Sequence, residues 1–388
     1  MNDGSKPLCY FYVTGHGFGH ATRSIGLVEH LITSGYRVVI ITSLNQNFFF
    51  ENLSIELVDI HSYLKVENRC LDAGAIQYDP LKMEIIETLR NYFNTVHSKY
   101  DLLFEREIEC LKTDRPDIVL VDATPLGCTA AKACGIKSII VSNFTWDKIY
   151  KLMLESYLLT NTLDETELTN FNEMIKKCED DYSSSNYYFQ LPGIMDVPTG
   201  YKGEVIPSPL VCRKVKRSRS EIREHFNIPH DSYVAVLGFG GQPKKHGALH
   251  DEMLPKDWVC LVLQSEGMIF PSKRFIPVPR NVYIPDILNA SEVMLGKLGY
   301  GTVSECLSTK TPLVFVPRED WPEEPPLQSL MEKYESAVLM PKLDYDTGNW
   351  SSYLLSALEK KKNSWNIDDL RPVTAFDEIV QKIQHIIQ

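Results

Sequence analysis

Two histidines set among three glycines, Gly15-His16-Gly17-Phe18-Gly19-His20, are the residues of this chain best suited to moving a proton. An imidazole titrates near neutral pH. Glycine lets the backbone turn tightly and lets a ligand approach. The run separates an apolar strand pattern, Leu8 to Thr14, from a helical pattern that begins at Ala21. In an open parallel sheet the crest beyond a strand is where ligands bind. Asp122 ends another apolar run and so falls on the same crest. It reads either as a helix N-cap or as a carboxylate that orients a histidine and stabilises its imidazolium. Either His20, at the helix start, or His16, in the loop, could be that histidine. A metal held by His16 and His20, four apart, would need a helix that Gly17 and Gly19 disfavour. A dinucleotide fingerprint would need glycine where His20 stands, and an acidic end to the next strand, where Thr42-Ser43 stands.

The second half carries its own group. Leu237-Gly238-Phe239-Gly240-Gly241-Gln242 runs from a strand end into a glycine turn. Backbone N–H groups of such a turn can cradle a diphosphate. Lys297-Leu298-Gly299-Tyr300-Gly301-Thr302-Val303-Ser304-Glu305 follows a later strand. Thr302 to Glu305 also fits a capping box, with Thr302 as N-cap and Glu305 reaching back. Glu323-Glu324 follow the next strand and are fixed by Pro325 and Pro326. Asp344-Tyr345-Asp346 is followed by Thr-Gly and reads as a turn rather than a metal clamp. No metal is expected.

Strands and helices alternate in the pattern that must position these residues. In the first half, strands are expected at Leu8–Thr14, Arg37–Ser43, Asp117–Asp122 and Lys137–Ser142. In the second half they are expected at Ser232–Leu237, Trp258–Leu263, Glu292–Leu295 and Leu313–Val316. Repeated strand–helix–strand units predict parallel sheets with right-handed crossovers. Residues 147 to 180 are polar and helical in pattern and read as an insertion over the first sheet. Pro192, Pro198, Pro207 and Pro209 precede a basic run, Arg213 to Arg219, which reads as a solvated linker. The boundary between two α/β domains, 1–210 and 211–388, is placed there, with the last helix free to pack back on the first domain. A cleft between them is the natural place for a site.

At 388 residues the chain is long enough for two cores. Its net charge of −11 argues against nucleic acid or an anionic membrane as the main partner. No apolar run is long enough to span a bilayer, and the polar start, Met1 to Pro7, is no signal peptide. The nine cysteines are scattered without a Cys-x-x-Cys pair, as expected of reduced thiols in the cytoplasm.

Together these runs resemble GT-B glycosyltransferases, in which two Rossmann-like parallel-sheet domains face each other across a cleft. The His-Cys-Gly-Trp-Asn-Ser-x-x-Glu signature of plant and animal UDP-sugar glycosyltransferases aligns without gaps on Lys297 to Glu305, and their Asp-Gln pair on Glu323-Glu324. The bacterial N-acetylglucosaminyltransferase that makes lipid II has a similar run at Leu298 to Glu305 and a glycine loop matching the one that ends in His20. The glycosyltransferase-like N-terminal region of plant L-arabinokinases is more similar still. That likeness is carried by Tyr12 to Arg23 and by Leu295 to Glu305, and it spans most of the chain. It covers the region before the sugar-kinase domain of those proteins, so kinase activity is not expected.

The resemblance implies a set of roles. His20 would deprotonate the acceptor hydroxyl and Asp122 would orient it. Glu305 would bind ribose hydroxyls. Lys297 would contact the diphosphate, and Gly299, Tyr300, Gly301 and Thr302 would belong to the donor-binding set. Gly17 and Gly19 would belong to the donor-binding set, and the turn Gly240, Gly241 and Gln242 would lie near the phosphates. Tyr283 and Ile284 would lie beside the base, and Glu323 and Glu324 would contact the sugar. Lysine at 297, glycine at 301 and glutamate at 324 depart from the signature and bear on the donor sugar rather than the fold. The expected activity is metal-independent, inverting transfer from a nucleotide-diphosphate sugar, UDP-linked, to a hydroxyl of a small molecule, glycan or protein. A nucleotide-sugar epimerase and a non-catalytic nucleotide-sugar-binding module are the alternatives.

Overall fold

A computed structural model describes residues 6–55, 59–240, 249–265, 270, 272–280, 282–362 and 365–388. The first sheet contains β1 (Leu8–Val13), β2 (Arg37–Thr42), β3 (Leu64–Asn68), β4 (Ile118–Asp122), β5 (Ser138–Ser142), β6 (Tyr187–Gln190) and β7 (Glu204–Pro207). β1, β4 and β5 are buried along their whole lengths, which is why they read as continuous apolar runs. The spatial order is β3-β2-β1-β4-β5-β6-β7, and each pairing is parallel. The winding therefore reverses between β1 and β4. Val13 pairs with Asp122 at that point, and Thr14 N donates to Asp122 O at 3.1 Å.

The second sheet contains β8 (Tyr233–Gly238), β9 (Trp258–Val262), β10 (Phe275–Pro277), β11 (Val293–Gly296), β12 (Leu313–Phe315) and β13 (Ala337–Leu339). Its order, β10-β9-β8-β11-β12-β13, reverses between β8 and β11. Gly296 pairs there with Gly238. A Cβ on Gly296 would stand 2.1 Å from the Gly238 carbonyl oxygen, so the two strand ends approach this closely only with glycine. Both α/β sheets thus present a switch point, where ligands bind in open parallel sheets.

Seven helices bear on the argument. They are α1 (Phe18–Thr33), α2 (Trp146–Leu158), α3 (Glu165–Tyr182), α4 (Tyr300–Ser308), α5 (Glu324–Lys333), α6 (Lys342–Thr347) and α7 (Ala375–Ile387). α1 begins at Phe18 and not at Ala21, so Gly19 and His20 lie in its first turn. Packing against the sheet outweighs the helix cost of one glycine, about 1 kcal/mol. α2 and α3 form the crossover between the neighbouring strands β5 and β6, so residues 147 to 180 belong to the regular winding and are not an insertion. Asp344 to Asp346 lie in α6 rather than in a turn; Asp346 pairs with Lys342, and Asp344 accepts from Tyr353. No helix of the described residues is long and apolar enough to cross a membrane.

One apolar cluster runs from β1 and α1 through α7 into the second sheet, including Phe11, Ile25, Phe376, Ile383, Val236 and Leu307. α7 lies against α1: Phe376 stacks on His30 with centroids 4.8 Å apart, and Lys137 Nζ donates to Ile386 O at 2.6 Å. On the other side, Leu81 of the first half is buried in the second sheet's far-face cluster, and Glu319 N donates to Leu81 O at 3.3 Å. The two halves are thus clamped on both flanks of the cleft. Phe376→Ala should remove about 3 kcal/mol or more of stability, the scale for deleting a buried aromatic ring. A lowered urea midpoint would record it; an unchanged one would mean that α7 contributes no packing energy.

Candidate functional site

α1 starts immediately beyond β1, so its first turn stands over the switch point of the first sheet. His20 and Arg23, one helical turn apart, share a face there and meet Asp122 from β4. His20 Nδ1 lies 3.0 Å from Asp122 Oδ1. Arg23 Nε donates to Asp122 Oδ2 at 2.9 Å, and Arg23 Nη2 donates to Oδ1. Ser24 and Ser142 hydroxyls complete the shell, each 3.3 Å from a carboxylate oxygen. Asp122 is 1% exposed. Burial works to raise its pKa, but the Arg23 guanidinium and His20 outweigh burial and hold it well below the usual carboxylate range.

The donors around Arg23 fix the tautomer of His20. Arg23 Nη2 has two hydrogens, and Asp122 Oδ1 and Ser142 Oγ, the latter at 3.0 Å, accept both. His20 Nδ1, 2.9 Å from the same nitrogen, therefore keeps its own hydrogen for Asp122. This tautomer, assigned from the hydrogen-bond network, leaves the Nε2 lone pair free. His16 differs. Its Nδ1 accepts from Ala75 N at 3.1 Å, so it offers the cleft only an Nε2–H donor. Burial, with His20, Lys297 and Arg318 nearby, pushes its pKa down to about 3. Aromatic rings wall both histidines: Phe144 is edge-on to His20 at 5.0 Å, and Trp146 to His16 at 5.4 Å.

The opposite wall is the switch point of the second sheet. Lys297 follows β11, and Gly240 follows β8 in the left-handed region, its hypothetical Cβ 3.6 Å from Lys297 Cε. α4 begins at Tyr300 with Gly299 as N-cap and no side-chain cap. A Cβ on Gly301 would come within 3.6 Å of Gly19 Cα, so the N-termini of α1 and α4 meet across the cleft. Both present unpaired N–H groups and the positive end of a helix dipole. Burial, with Arg318 nearby, lowers the Lys297 pKa to about 7, although Glu323 and Glu324 act to raise it. The space between the two walls is about 300 Å³. Among the described residues it is lined by five basic side chains, His16, His20, Arg23, Lys297 and Arg318, against one carboxylate, Glu323. Arg23 is paired with Asp122 and Arg318 with Glu324, so Lys297 and the two helix N-termini face the histidine–aspartate pair.

No protein-family model matches the chain. Over 360 residues, 92% of its length, it is 37% identical to the L-arabinokinase of Arabidopsis thaliana. It spans only 33% of that protein. Among solved structures it is similar to the kitacinnamycin glycotransferase, with a TM-score of 0.64 and 14% identity, covering 98% of this chain and 99% of the other. It is similar also to Arabidopsis thaliana UGT89C1 complexed with UDP, with a TM-score of 0.60 and 15% identity, covering 97% and 99%. The fold is GT-B. The likeness to L-arabinokinase expected from the sequence is present as well.

Within this GT-B cleft the structure brings together His16, Gly17, Gly19, His20, Gly240, Lys297, Gly299, Tyr300, Gly301, Thr302 and Glu323. Asp122 lies just behind them. Tyr283, Ile284 and Glu305 do not line that space. Glu305 sits farther along α4, where it accepts from Arg213 Nε and Nη2 at 2.9 and 2.7 Å. The Arg213 guanidinium lies 4.8 Å from the Tyr283 ring centre. The capping box is not formed, because Gly299 is the N-cap and Thr302 is the third helical residue. Glu324 is turned to Arg318, whose backbone N and Nε donate to its two oxygens at 2.9 and 2.6 Å. Gly241 and Gln242 lie outside the described residues.

The sequence did not single out Arg23, Asn143, Arg213, Arg318 or Trp321. Arg23 was findable, being one turn after His20. Arg213, at the start of the presumed solvated run, is mostly buried against Glu305; composition alone does not reveal which member of a basic run turns inward. Among the described residues, no group of three or more His, Cys, Asp and Glu side chains is arranged to hold a metal.

An unfolded aspartate titrates near 4, about 3.9, whereas folded Asp122 is held lower. The stabilisation of this carboxylate is therefore complete above about pH 4 and is lost as the pH falls toward the folded value. Asp122→Asn should flatten the acid limb of the stability profile, read from urea midpoints between about pH 6 and pH 3. Equal acid slopes in variant and parent would refute this account of the pair.

Proposed function

We propose that the cleft binds a nucleotide-diphosphate sugar, in the first instance a UDP-sugar, and that the protein is a cytoplasmic, inverting glycosyltransferase. One observation carries the reading: a histidine–aspartate pair with a free Nε2 faces Lys297 and the uncapped N-terminus of α4 across about 300 Å³ of space. UGT89C1, of the same fold, has been solved with UDP and with UDP-L-rhamnose, and VinC with DTDP. These name the ligand class that supports the reading. The nine unpaired cysteines suit a reducing compartment.

In the proposed step, an acceptor hydroxyl gives its proton to His20 Nε2 as its oxygen attacks the anomeric carbon. The bond from that carbon to the diphosphate oxygen breaks, and its electron pair leaves with the nucleoside diphosphate. Asp122 stabilises the imidazolium that forms. Lys297 and the N-terminal N–H groups of α4 take up the charge developing on the leaving group, which is the work a metal does elsewhere. His16 donates to the phosphates through Nε2–H. Gly240 approaches the phosphates, Tyr283 and Ile284 flank the base, and Glu305 shares its carboxylate between Arg213 and the ribose. Glu323 accepts from sugar hydroxyls, and Glu324 acts through Arg318.

His20→Ala should lower turnover on the order of a hundredfold, the scale for a positioned general base, while leaving affinity for the bare nucleotide unchanged. Screening nucleotide sugars by thermal shift, then following product with candidate acceptors, would identify the reaction for this comparison. Normal turnover in the variant would remove His20 from the mechanism. A second expectation concerns Lys297. With its pKa near 7 in the free protein, it is largely neutral at a slightly alkaline pH, and an anion beside it favours the ammonium. Binding of UDP should therefore take up a proton and weaken as the pH rises above about 7. Calorimetry in two buffers of different ionisation enthalpy would show the uptake, and Lys297→Met should abolish it. Identical heats in both buffers would mean that Lys297 does not meet the phosphates.

A further inference from the structure

Asn143 follows β5 at the crest of the first sheet and is fully buried, at 0% exposure. Its amide stands between two charges that come from different halves of the molecule. Arg23 Nη1 donates to Asn143 Oδ1 at 2.7 Å. Asn143 Nδ2 donates to Glu323 Oε1 at 2.8 Å. The amide orientation is not ambiguous: a guanidinium only donates and a carboxylate only accepts, so the oxygen must face Arg23 and the nitrogen Glu323. The second carboxylate oxygen of Glu323 accepts from Trp321 Nε1 at 2.9 Å. Both of these donors are neutral. They fix the orientation of Glu323 without neutralising it, and its remaining lone pairs are left for hydroxyl groups in the cleft, whose wall it forms.

The result is a continuous path of hydrogen bonds, His20–Asp122–Arg23–Asn143–Glu323–Trp321, that crosses from one domain to the other. We propose that Asn143 is a positioning residue for sugar transfer, holding the sugar-reading carboxylate Glu323 in register with the base His20 through Arg23 and Asp122. The proposal rests on the reading of the cleft as a nucleotide-sugar site. No other side chain of this length offers an acceptor to Arg23 and a donor to Glu323 at once. Aspartate would keep the Arg23 contact but set a carboxylate against a carboxylate, and alanine would leave both charges short of a partner. Misplacing a reacting centre by about 1 Å can cost on the order of a hundredfold in rate, so the register matters to turnover as well as to binding.

The test compares affinity for a nucleotide sugar with affinity for its bare nucleotide, by calorimetry, in the parent, Asn143→Asp, Asn143→Ala, Glu323→Ala and Asn143→Asp/Glu323→Ala. The ratio of the two affinities is the share owed to the sugar. Asn143→Asp should cut that ratio about tenfold, the scale for one hydrogen bond to a charged group, and leave bare-nucleotide affinity unchanged. In the Glu323→Ala background the same substitution should have no further effect, because Asn143 acts through Glu323. Asn143→Ala serves if the aspartate variant does not fold. A merely structural residue would lower the melting temperature and both affinities alike, and that result overturns the proposal. So does an effect of equal size with and without Glu323, or an unchanged ratio. A parent that prefers no nucleotide sugar over its nucleotide would instead overturn the functional reading, and the proposal with it; a parent that does prefer one, with variants that do too, removes only the role of Asn143.

Discussion

A carboxylate buried at a sheet switch point governs how this cleft is built. Taking Asp122 out of water costs several kcal/mol unless it is paired and hydrogen-bonded. Five donor groups meet that requirement: His20 Nδ1, two nitrogens of Arg23 and the hydroxyls of Ser24 and Ser142. Each comes from an element that the parallel winding brings beside β4, the first turns of α1 and the end of β5. Arg23 is then itself a buried charge, and its remaining donors need acceptors. Ser142 and Asn143 supply them, and Asn143 passes the requirement on to Glu323 in the other domain. Satisfying one buried acid thus dictates side chains across the interface.

The opposite problem exists on the facing wall. Two helix N-termini meet there, beside Lys297 and Arg318, with the positive ends of both dipoles turned to the same small space. Like charges gathered under low dielectric raise each other's cost. The molecule answers by weakening the charges: Lys297 is pulled down to about 7 and His16 to about 3, each chiefly by burial and further by neighbouring cations. An anion entering this space removes the penalty and restores the ammonium.

Much of this was legible in the sequence, and for definite reasons. The strands that lead to His20, Gly240 and Lys297, and the one that ends in Asp122, are buried on both faces, so they announced themselves as apolar runs, and the residues at or just beyond their ends had to be crest residues. β3, β6, β7 and the three-residue strands β10 and β13 carry no comparable run and were not marked. The site was readable where a residue's own type declared its chemistry, as with His20 and Lys297. It was not readable where the role depends on a partner distant in sequence. Glu305 and Thr302 have the spacing of a capping box, yet Arg213, 92 positions away from Glu305, takes the carboxylate instead. Glu323 and Glu324 are adjacent and chemically alike, but α5 begins between them, and one faces the cleft while the other faces Arg318.

Two kinds of contact hold the two sheets in relation to each other, and they do different work. The apolar cluster through α1, α7 and the second sheet is large and non-directional; together with Leu81 on the other flank it sets how close the domains lie. Burial of this kind tolerates small slides and rotations with little change in energy. The hydrogen bonds across the cleft do not. Asn143 Nδ2 to Glu323 Oε1 at 2.8 Å, and Glu319 N to Leu81 O at 3.3 Å, depend on angle as well as distance and lose strength with a shift of a few tenths of an ångström. Arg23, over the Tyr300 ring at 4.8 Å, adds a further orientation-dependent contact between the same two helices, α1 and α4. Hydrophobic burial therefore supplies the adhesion between the domains, while a few polar contacts fix the alignment on which any chemistry in the cleft depends.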